Sequence, residues 1–274
     1  MDRTHSRYAP VSVVIPCYCC DATINRAVAS VADQTVLPQE LILVDDASPD
    51  SGRTLDELHA LSVRYVGLFP VKVVALQQNS GVASARNAGW EAATCNFVAF
   101  LDADDTWHPK KIEIQHGYMA ANEAVGLSGH GHVVGDRFIP VELSAKVWPI
   151  PAWRLRLRNP FITPSVMLRR NVPDRFLDGQ RFMEDHLLWM RLHCHGVKMV
   201  KLSFPLAVIH KRPYGDGGLS AKLWQMEKSD VGNYFFLVRT GCLHPIWLLP
   251  MVALSLLKFL RRLFLIMLRR IMKI

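Results

Sequence analysis

Two aspartates at positions 102 and 104 are the side chains best suited to metal chemistry in this sequence. They directly follow the apolar segment Phe97–Leu101, so we expect them on a turn at the carboxyl end of a β-strand. Carboxylates at this spacing suit a hard divalent cation such as Mg²⁺ or Mn²⁺, with phosphate and water oxygens completing its coordination. A solvated surface turn also explains Asp-x-Asp, so the neighbouring motifs must decide between the two interpretations.

A second acidic pair ends the apolar segment Leu41–Val44. Asp45 and Asp46 follow that segment directly, and Ser48 comes shortly after them. In the functional interpretation, a carboxylate here accepts hydrogen bonds from a nucleobase imide or a ribose hydroxyl. In the alternative, the pair belongs to an ordinary polar turn that caps the next helix.

Residues 79–87 combine features of an anion-binding helix start. Asn79 opens a loop in which Gly81 eases the turn, and Arg86 follows within the predicted helix. A helix N-terminus has unpaired N–H groups and a guanidinium fits phosphate oxygens, so together they favour a diphosphate. The alternative is an ordinary helix start with an arginine on the surface.

Short β-branched segments alternate with helix-length amphipathic segments over the first 125 residues, which predicts an α/β fold. Because the strand segments are apolar almost throughout, we expect a mostly parallel sheet with helices on both faces. Such sheets bind ligands at the carboxyl ends of their strands, where the acidic pairs lie. The predicted strands are Val11–Ile15, Leu41–Val44, Val71–Leu76 and Phe97–Leu101, and the predicted helices are Ala22–Gln34, Gly81–Ala93 and Pro109–Ala121.

The pattern is less regular after residue 125. Strands are predicted at Ser165–Leu168 and Lys198–Leu202, and a helix at His186–His195. The stretch Pro149–Pro160, rich in proline and arginine, predicts an irregular connection, and Tyr214–Leu219 predicts a glycine-rich loop.

Charge and cysteine content limit the partners and the environment. The net charge is +8 over 274 residues, but 245–274 holds six basic residues and no acidic one; taking these six from 32 leaves 26 against 24 acidic residues. The basic character therefore belongs to the C-terminal segment, and we expect no nucleic-acid partner. The six cysteines show no zinc-type pairing and no secretory signal is visible, so we expect a reducing cytosol. His193 and His195 form either a metal pair or, in the preferred interpretation, the cationic end of a helix.

Together these segments resemble glycosyltransferase family 2, the inverting enzymes with the GT-A fold. The resemblance covers roughly residues 11–220, with the motifs in the family's order. One departure is Tyr18-Cys19-Cys20, where the family commonly has Tyr-Asn, so recognition of the base around Tyr18 can differ. The matching motifs are Val11-Ser-Val-Val-Ile-Pro-Cys-Tyr18, Leu43-Val-Asp-Asp-Ala-Ser48, Asn79-Ser-Gly81, Ala85-Arg-Asn-Ala-Gly89, Phe100-Leu-Asp-Ala-Asp-Asp-Thr-Trp-His-Pro109 and Phe182-Met-Glu-Asp-His-Leu-Leu-Trp-Met-Arg-Leu192.

The resemblance implies a role for each matching residue. Asp185 is expected to be the general base, although as a first-turn residue it can also cap its helix. The metal and, through it, the donor diphosphate are expected on Asp102 and Asp104, with His210 as a further polar contact or, equally, a structural histidine. The nucleotide and the rest of the donor are expected on Pro16, Tyr18, Asp45, Asp46, Asn79, Gly81, Arg86 and Asp102.

The C-terminal segment combines apolar and basic residues. Pro245–Leu257 has about thirteen apolar positions, interrupted by Pro250, against the roughly twenty that span a bilayer. Beyond it, a basic stripe on an apolar helix favours an anionic membrane surface. A helix packed on a partner and a true membrane span are the alternatives. The stripe consists of Lys258, Arg261, Arg262, Arg269 and Lys273, with Arg270 at its edge.

We therefore expect a GT-A glycosyltransferase domain at residues 1–240 and a membrane-associating tail at 241–274. The enzyme would transfer a hexose or N-acetylhexosamine from a nucleotide diphosphate sugar, with UDP as the expected nucleotide, to a lipid-linked or lipopolysaccharide-type acceptor. It would require Mg²⁺ or Mn²⁺ and lie on the cytoplasmic face of the membrane. The alternatives are a sugar nucleotidyltransferase and a non-enzymatic membrane scaffold with the same fold.

Overall fold

The structure is a computed structural model that describes residues 7–136, 146–211 and 222–271, with side chains described as far as residue 265. The predicted glycine-rich loop Tyr214–Leu219 and the side chains of Arg269, Arg270 and Lys273 lie outside these residues.

A single nine-stranded sheet forms the centre of the described chain. Along it the order is β3-β2-β1-β4-β8-β6-β9-β5, and β7 pairs with β9 beside this path. The strands are β1 (Tyr8–Cys17), β2 (Leu37–Asp45), β3 (Val71–Ala75), β4 (Phe97–Phe100), β5 (Thr106–Trp107), β6 (Val125–Val134), β7 (Val147–Pro149), β8 (Met167–Arg169) and β9 (Lys198–Ile209).

Helices cover both faces of the sheet, which confirms the predicted α/β arrangement. They are α1 (Ile24–Ala32), α2 (Arg53–Tyr65), α3 (Val82–Ala92), α4 (Lys111–Ala121), α5 (Ala152–Leu157), α6 (Glu184–Cys194), α7 (Leu223–Arg239) and α8 (Leu248–Ile271).

Strand direction differs between the two halves of the sheet. Strands β1 to β4 pair in parallel, as their continuous apolar character predicts. Among the remaining described pairs only β6 and β9 are parallel, whereas β8 runs antiparallel to β4 and β6, and β9 runs antiparallel to β5 and β7. The expectation of a mostly parallel sheet is therefore correct for the first hundred residues and wrong for the rest.

The sheet separates two hydrophobic cores because successive side chains of a strand point to opposite faces. In β1, Val13 and Ile15 pack with α1 and α2, whereas Val14 packs with α3, α6 and α7. Helix α3 lies very close to the sheet at Gly89, where a Cβ atom would be 2.3 Å from a methyl carbon of Val14. This close contact fixes the helix whose first turn borders the candidate site.

Three helices were not predicted from the sequence. Helices α2 and α7 occupy residues that carried no prediction, and α5 lies within Pro149–Pro160, where an irregular connection was expected. Pro151 precedes α5 as its N-cap residue with an extended backbone, and proline is well suited to helix starts. The density of prolines therefore marked a short helix and its boundaries rather than an unstructured stretch.

The C-terminal helix packs on the rest of the fold over its first half. Leu243, Met251 and Ser255 are 2 %, 3 % and 1 % exposed, and Cys242 forms a disulfide with Cys194 at the end of α6. The packed part of the chain thus extends past the expected boundary at residue 240. Pro250 does not interrupt α8, because it lies in the first turn, where no intrahelical N–H bond is lost.

Candidate active site

The carboxyl ends of β1, β2 and β4 meet at one edge of the sheet, as the sequence predicted. Cys17 pairs with Asp45 in the parallel register of β1 and β2, and Val14 pairs with Phe100. Tyr18, half exposed just past β1, therefore lies on the same edge as Asp45 and Asp102. Pro16 lies at the end of β1 and is partly buried.

Asp46 is a structural anchor rather than a side chain open to a ligand. It is 4 % exposed, and its carboxylate accepts hydrogen bonds from the backbone N–H groups of Ser80 and Gly81 at 2.7 and 2.9 Å and from the Asn79 amide at 3.1 Å. These donors of the loop before α3 are therefore hydrogen-bonded to Asp46. This corrects the expectation that Asn79 and Gly81 offer them to a diphosphate. The carboxylate of Asp45, 5 % exposed, accepts a hydrogen bond from the Ser48 hydroxyl.

Backbone strain is concentrated around Tyr18. Cys19, Ala47 and Ser51 have positive φ angles of 47°, 50° and 59°, a region that side chains other than glycine and asparagine rarely adopt. Cys19 occupies the position where the family commonly has asparagine, and its N–H donates to the Ser48 hydroxyl at 2.9 Å. The loops that follow β1 and β2 are thereby held together, and Tyr18 lies between them and solvent.

Arg86 is buried, which is contrary to the expectation that it binds the donor diphosphate. It is 4 % exposed, and its guanidinium donates to Asp102 and to Glu184, both at 2.8 Å. Burial alone would lower the pKa of Arg86, but the two carboxylates raise it, so the side chain stays charged. Arg86 therefore ties the turn after β4 to the first turn of α6.

Three carboxylates crowd the turn after β4 and fit a divalent cation. Burial and the charges of Asp102 and Asp104 raise the pKa of Asp105 to about 8. Arg86 donates to one carboxylate oxygen of Asp102, and Lys211 forms an ion pair with one carboxylate oxygen of Asp104 at 2.7 Å. Among the described residues, the second carboxylate oxygen of each aspartate has no hydrogen bond or ion pair. Such partly exposed carboxylate oxygens are the ligands that Mg²⁺ and Mn²⁺ prefer.

His210 contacts this turn through its backbone, whose N–H donates to the Asp105 carboxylate at 3.3 Å, and its ring does not form a ligand cluster with Asp102 and Asp104. Its ring nitrogens lie 3.0 Å from the Thr106 hydroxyl and 3.5 Å from Asp136. Among the described residues, the one cluster of three converging candidate ligands is Cys194, His195 and Cys242, so Asp102, Asp104 and His210 do not form one. The structure therefore supports the structural interpretation of His210 rather than a role as a metal ligand.

The cluster at the end of α6 is not a metal pair. Cys194 is bonded to Cys242, a disulfide that the expectation of a reducing cytosol did not predict. The Nδ1 atom of His195 lies 2.6 Å from the Asp174 carboxylate, which accepts the hydrogen bond. The preferred interpretation, a cationic helix end closed by Gly196, agrees with the φ of +80° at that glycine.

Asp185 lies in the first turn of α6, where both of its carboxylate oxygens accept hydrogen bonds. The donors are the His186 backbone N–H and the Asn159 amide, each at 2.7 Å. Burial raises the pKa of Asp185, although these hydrogen bonds and the nearby charge of His186 oppose the increase. A carboxylate with a raised pKa binds a proton more readily, which suits a general base.

Several residues around Asp185 were not identified from the sequence. Met183, the N-cap of α6, has a left-handed backbone with φ of 54°, and its carbonyl accepts a hydrogen bond from Asn233 of α7 at 3.0 Å. Arg181 donates to Asn79 at 2.7 Å, across the mouth of the site. Such contacts join segments 50 to 102 residues apart, so no local sequence signal marks them.

A buried polar network links Asp185 to the C-terminal helices. His186 lies 3.7 Å from Asp230 of α7, and Asp230 accepts hydrogen bonds at 2.8 Å from Tyr234 and from Ser255 of α8. Although burial alone would lower the pKa of His186, Asp230 raises it, so this contact favours a protonated imidazole beside the candidate base.

Known proteins resemble this chain in sequence and in fold. The family model described as "Glycosyl transferase family 2" matches residues 12–176. The chain belongs to glycosyltransferase family 2. Its α/β sheet with helices on both faces and its carboxylates at the strand ends are the GT-A fold that the sequence resemblance implied, and the chain is a glycosyltransferase.

Two curated relatives of this family 2 enzyme are bacterial glycosyltransferases. It is 29 % identical over 239 residues to the amylovoran biosynthesis glycosyltransferase AmsE of Erwinia amylovora, covering 79 % of this chain and 86 % of that protein. It is also 29 % identical over 185 residues to WfgD of Escherichia coli, a UDP-Glc:α-D-GlcNAc-diphosphoundecaprenol β-1,3-glucosyltransferase, covering 66 % of this chain and 69 % of that protein.

Solved structures agree on the fold. TarS residues 1–349 of S. aureus in complex with UDP-GlcNAc aligns with a TM-score of 0.67 and 19 % identity, over 93 % of this chain and 72 % of that one. The mannosyltransferase PcManGT of Pyrobaculum calidifontis, in complex with GDP-Man and Mn²⁺, aligns with a TM-score of 0.64 and 17 % identity, over 91 % of this chain and 74 % of that one.

Proposed function

We propose that the enzyme transfers a hexose or N-acetylhexosamine, with inversion, from a UDP-linked donor to a hydroxyl of a lipid-linked or lipopolysaccharide-type acceptor. The observation that carries this proposal is the bridge made by Arg86, which joins Asp102 at the candidate metal turn to Glu184 beside Asp185. Arg86 is thus a buried cation with a candidate group on either side. On one side is Asp185, which would receive a proton, and on the other is Asp102, which would hold the leaving diphosphate through the metal.

The reaction we propose is a single displacement at the anomeric carbon. Asp185 accepts the proton of the acceptor hydroxyl while the hydroxyl oxygen forms a bond to that carbon. The bond from the carbon to the phosphate oxygen breaks, and the nucleoside diphosphate leaves with the electron pair. Inversion needs one base and one stabilised leaving group, and Asp185 is held for the first role by Asn159 and the His186 backbone.

Asp102 and Asp104 are the residues that we propose to hold Mg²⁺ or Mn²⁺. A divalent cation would neutralise the negative charge that develops on the leaving diphosphate. The crowded carboxylates of this turn support the assignment, and PcManGT was solved with Mn²⁺. With Arg86 buried, Arg181 is an exposed arginine that contacts the loop of Asn79 and Gly81 at the mouth of the site.

The nucleotide is proposed to lie between the loops after β1 and β2. Tyr18, 50 % exposed, offers a ring for stacking on the base, and Pro16 and Asp45 border it. Asp46 contributes by fixing the loop of residues 79–81 rather than by touching the base.

We further propose that α8 places the enzyme on the cytoplasmic, anionic face of a membrane. Leu249, Leu257, Leu260 and Phe264 are 59–80 % exposed and recur at helical spacing, while Met251 and Ser255 face the core. No helix among residues 7–136, 146–211 and 222–271 is long and apolar enough to cross a membrane. An exposed apolar stripe next to Lys258 and the arginines that follow it is typical of helices that lie in a membrane surface.

A panel of nucleotide sugars tests the donor assignment. We expect one uridine diphosphate sugar to raise the melting temperature in the presence of Mn²⁺ and to be hydrolysed slowly without acceptor, and chelation to remove both effects. Asp102→Asn should remove them as well, with Asp178→Asn as the matched control on an exposed carboxylate. Stabilisation by no donor, or by every donor equally in excess chelator, would contradict the proposal.

A further inference from the structure

We propose that a basic pocket formed by Arg154, Arg158 and Lys201 binds the diphosphate of the acceptor, and that the apolar groove next to it holds the start of a prenyl chain. The inference rests on the proposed function, because it identifies the class of acceptor as a sugar joined to a prenyl diphosphate. Nothing in the donor chemistry requires this pocket.

The pocket concentrates positive charge without a carboxylate to balance it. It is lined by His132, Arg154, Arg158, Asn159 and Lys201. None of the basic residues forms an ion pair with an acidic side chain among the described residues, and Lys201 donates to the backbone carbonyl of Pro160 instead. Arg154, Arg158 and Lys201 line one small pocket, and burial together with the charges of Arg158 and Arg154 lowers the pKa of Lys201, as expected for neighbouring cations. An anion between them would relieve this repulsion.

Asn159 connects this pocket to the candidate base. Its side chain lines the pocket and donates to Asp185 at 2.7 Å. A sugar whose hydroxyl reaches Asp185 therefore has the basic pocket beside it, where the substituent at its own anomeric carbon can lie. The pocket volume is about 160 Å³, below the roughly 300–1,000 Å³ of sites that enclose a whole small molecule. It suits a charged group of a larger ligand.

The apolar groove continues from the pocket at Arg154, which lines both. Its volume is about 480 Å³, and its walls include Trp148, Ile150, Trp153 and Val197. The two tryptophans are 41 % and 59 % exposed. An acceptor with a diphosphate beside Arg154 would direct its hydrocarbon into this groove, and charge complementarity at Arg154 favours a prenyl diphosphate over a neutral lipid.

The same short helix connects the pocket to the surface proposed to meet the membrane. Arg154 of α5 lines the pocket, whereas Arg156 lies 4.7 Å above the ring of Trp247 and the Leu157 carbonyl accepts a hydrogen bond from Lys258 of α8. Helix α5 thus lies between the pocket and α8. A prenyl chain that leaves the groove emerges on the molecule near this surface.

Binding can be measured without donor, so that it does not depend on transfer. We suggest calorimetric titration of the intact protein with geranyl diphosphate, inorganic pyrophosphate and geraniol, in chelator so that no cation links a diphosphate to Asp102 and Asp104. We expect geranyl diphosphate to bind most tightly and to change tryptophan fluorescence through Trp148 and Trp153. Pyrophosphate should bind more weakly, and geraniol should show no saturable binding.

Arginine variants on α5 and beyond it provide a matched comparison. Arg154→Gln and Arg158→Gln should each weaken geranyl diphosphate binding roughly 10- to 100-fold, the usual effect of losing a charge-assisted hydrogen bond. Arg156→Gln removes the same charge from the same helix but outside the pocket, and should leave the affinity unchanged. All three side chains are at least partly exposed, and unchanged melting temperatures would show that the variants fold.

Three results would overturn the inference. Equal weakening in Arg156→Gln would show only a general effect of charge. Equal affinity for geranyl diphosphate and pyrophosphate would exclude the groove, and unchanged affinity in Arg154→Gln and Arg158→Gln would exclude the pocket. The proposed function fails separately: a protein that binds geranyl diphosphate but neither binds nor hydrolyses any nucleotide sugar would keep the pocket and lose the donor assignment.

Discussion

Replacing Asp185 by asparagine tests the catalytic assignment most directly. The substitution keeps the size of the side chain and removes its ability to accept a proton. We expect the transfer rate to fall by roughly 10²–10⁴-fold, the usual effect of losing a general base. Donor affinity should change little, because Asp102 and Asp104 are untouched and Asp185 lies on the acceptor side of Arg86.

The structure also indicates how much the free energy of unfolding decreases in Asp185→Asn. Both oxygens of Asp185 accept a hydrogen bond, from Asn159 and from the His186 backbone, whereas asparagine has one acceptor oxygen. One donor therefore loses its partner, and we expect the free energy of unfolding to decrease by about 1–3 kcal/mol. A loss of this size leaves a folded protein in which the catalytic effect can be measured.

The pH dependence provides a second readout. A base acts only when it is deprotonated, so the rate of the wild-type enzyme should rise with pH until the pKa of Asp185 is passed and then level off. Because burial raises that pKa, the rise should extend to higher pH than for an exposed aspartate. In Asp185→Asn the residual rate should lack this titration.

Initial rates should be measured with saturating donor and a soluble acceptor, alongside Asp178→Asn as the control. Near-normal turnover by Asp185→Asn would show that this residue caps α6 and does not catalyse. Loss of donor binding together with activity would show instead that it belongs to the donor site.

Three further predictions follow from the metal turn, the C-terminal helix and the buried ion pair. Chelation should abolish transfer and Mg²⁺ or Mn²⁺ should restore it, and Asp104→Asn should weaken metal-dependent donor binding; full activity in excess chelator would contradict this. Deleting residues 245–274 removes Met251 and Ser255 from the core and should yield an unstable protein. Deleting 259–274 should instead give a folded enzyme that binds anionic vesicles weakly, and vesicle binding as strong as that of the full chain would exclude a membrane role for that segment. Asp230→Asn removes the partner of His186 and should lower the free energy of unfolding by about 3 kcal/mol at pH 5. This loss should shrink as the pH rises through the raised pKa of His186, because a neutral imidazole needs no counter-charge; equal losses at pH 5 and pH 9 in denaturant titrations would refute the ion pair.

The candidate site could be located from the sequence because its acidic residues directly follow apolar strands. In β2 and β4 the strand signal and the carboxylates are contiguous, and parallel neighbours bring such ends to one edge. Local pattern was sufficient for Asp45, Asp102 and Asp104 to be placed together. It was insufficient for Arg86, since a helix residue after a glycine turn looks the same whether it faces a ligand or a buried carboxylate.

The second half of the chain shows the limit of local pattern. The directions of β8 and β9 depend on which strands they meet, and these pairings join residues as far apart as Thr106 and Val208. The predicted domain boundary at residue 240 followed a change in composition, yet Cys242, Met251 and Ser255 belong to the core. Composition describes a segment, whereas burial depends on the surface that the rest of the chain presents to it.

The sequence by itself was enough for the family, the strand ends that carry the acidic residues and the order of the motifs, because these depend on neighbours in the chain. The partners of each functional side chain became known from the folded chain alone. Asp46 was expected to bind a ligand and instead anchors a loop, Arg86 was expected on a phosphate and instead bridges two carboxylates, and Asn159 had no signal although it holds Asp185. Each partner lies 16 to 98 residues away along the chain. A charged or polar side chain bonds to whichever partner lies within about 3 Å in the folded chain. No periodic pattern in the sequence predicts that partner.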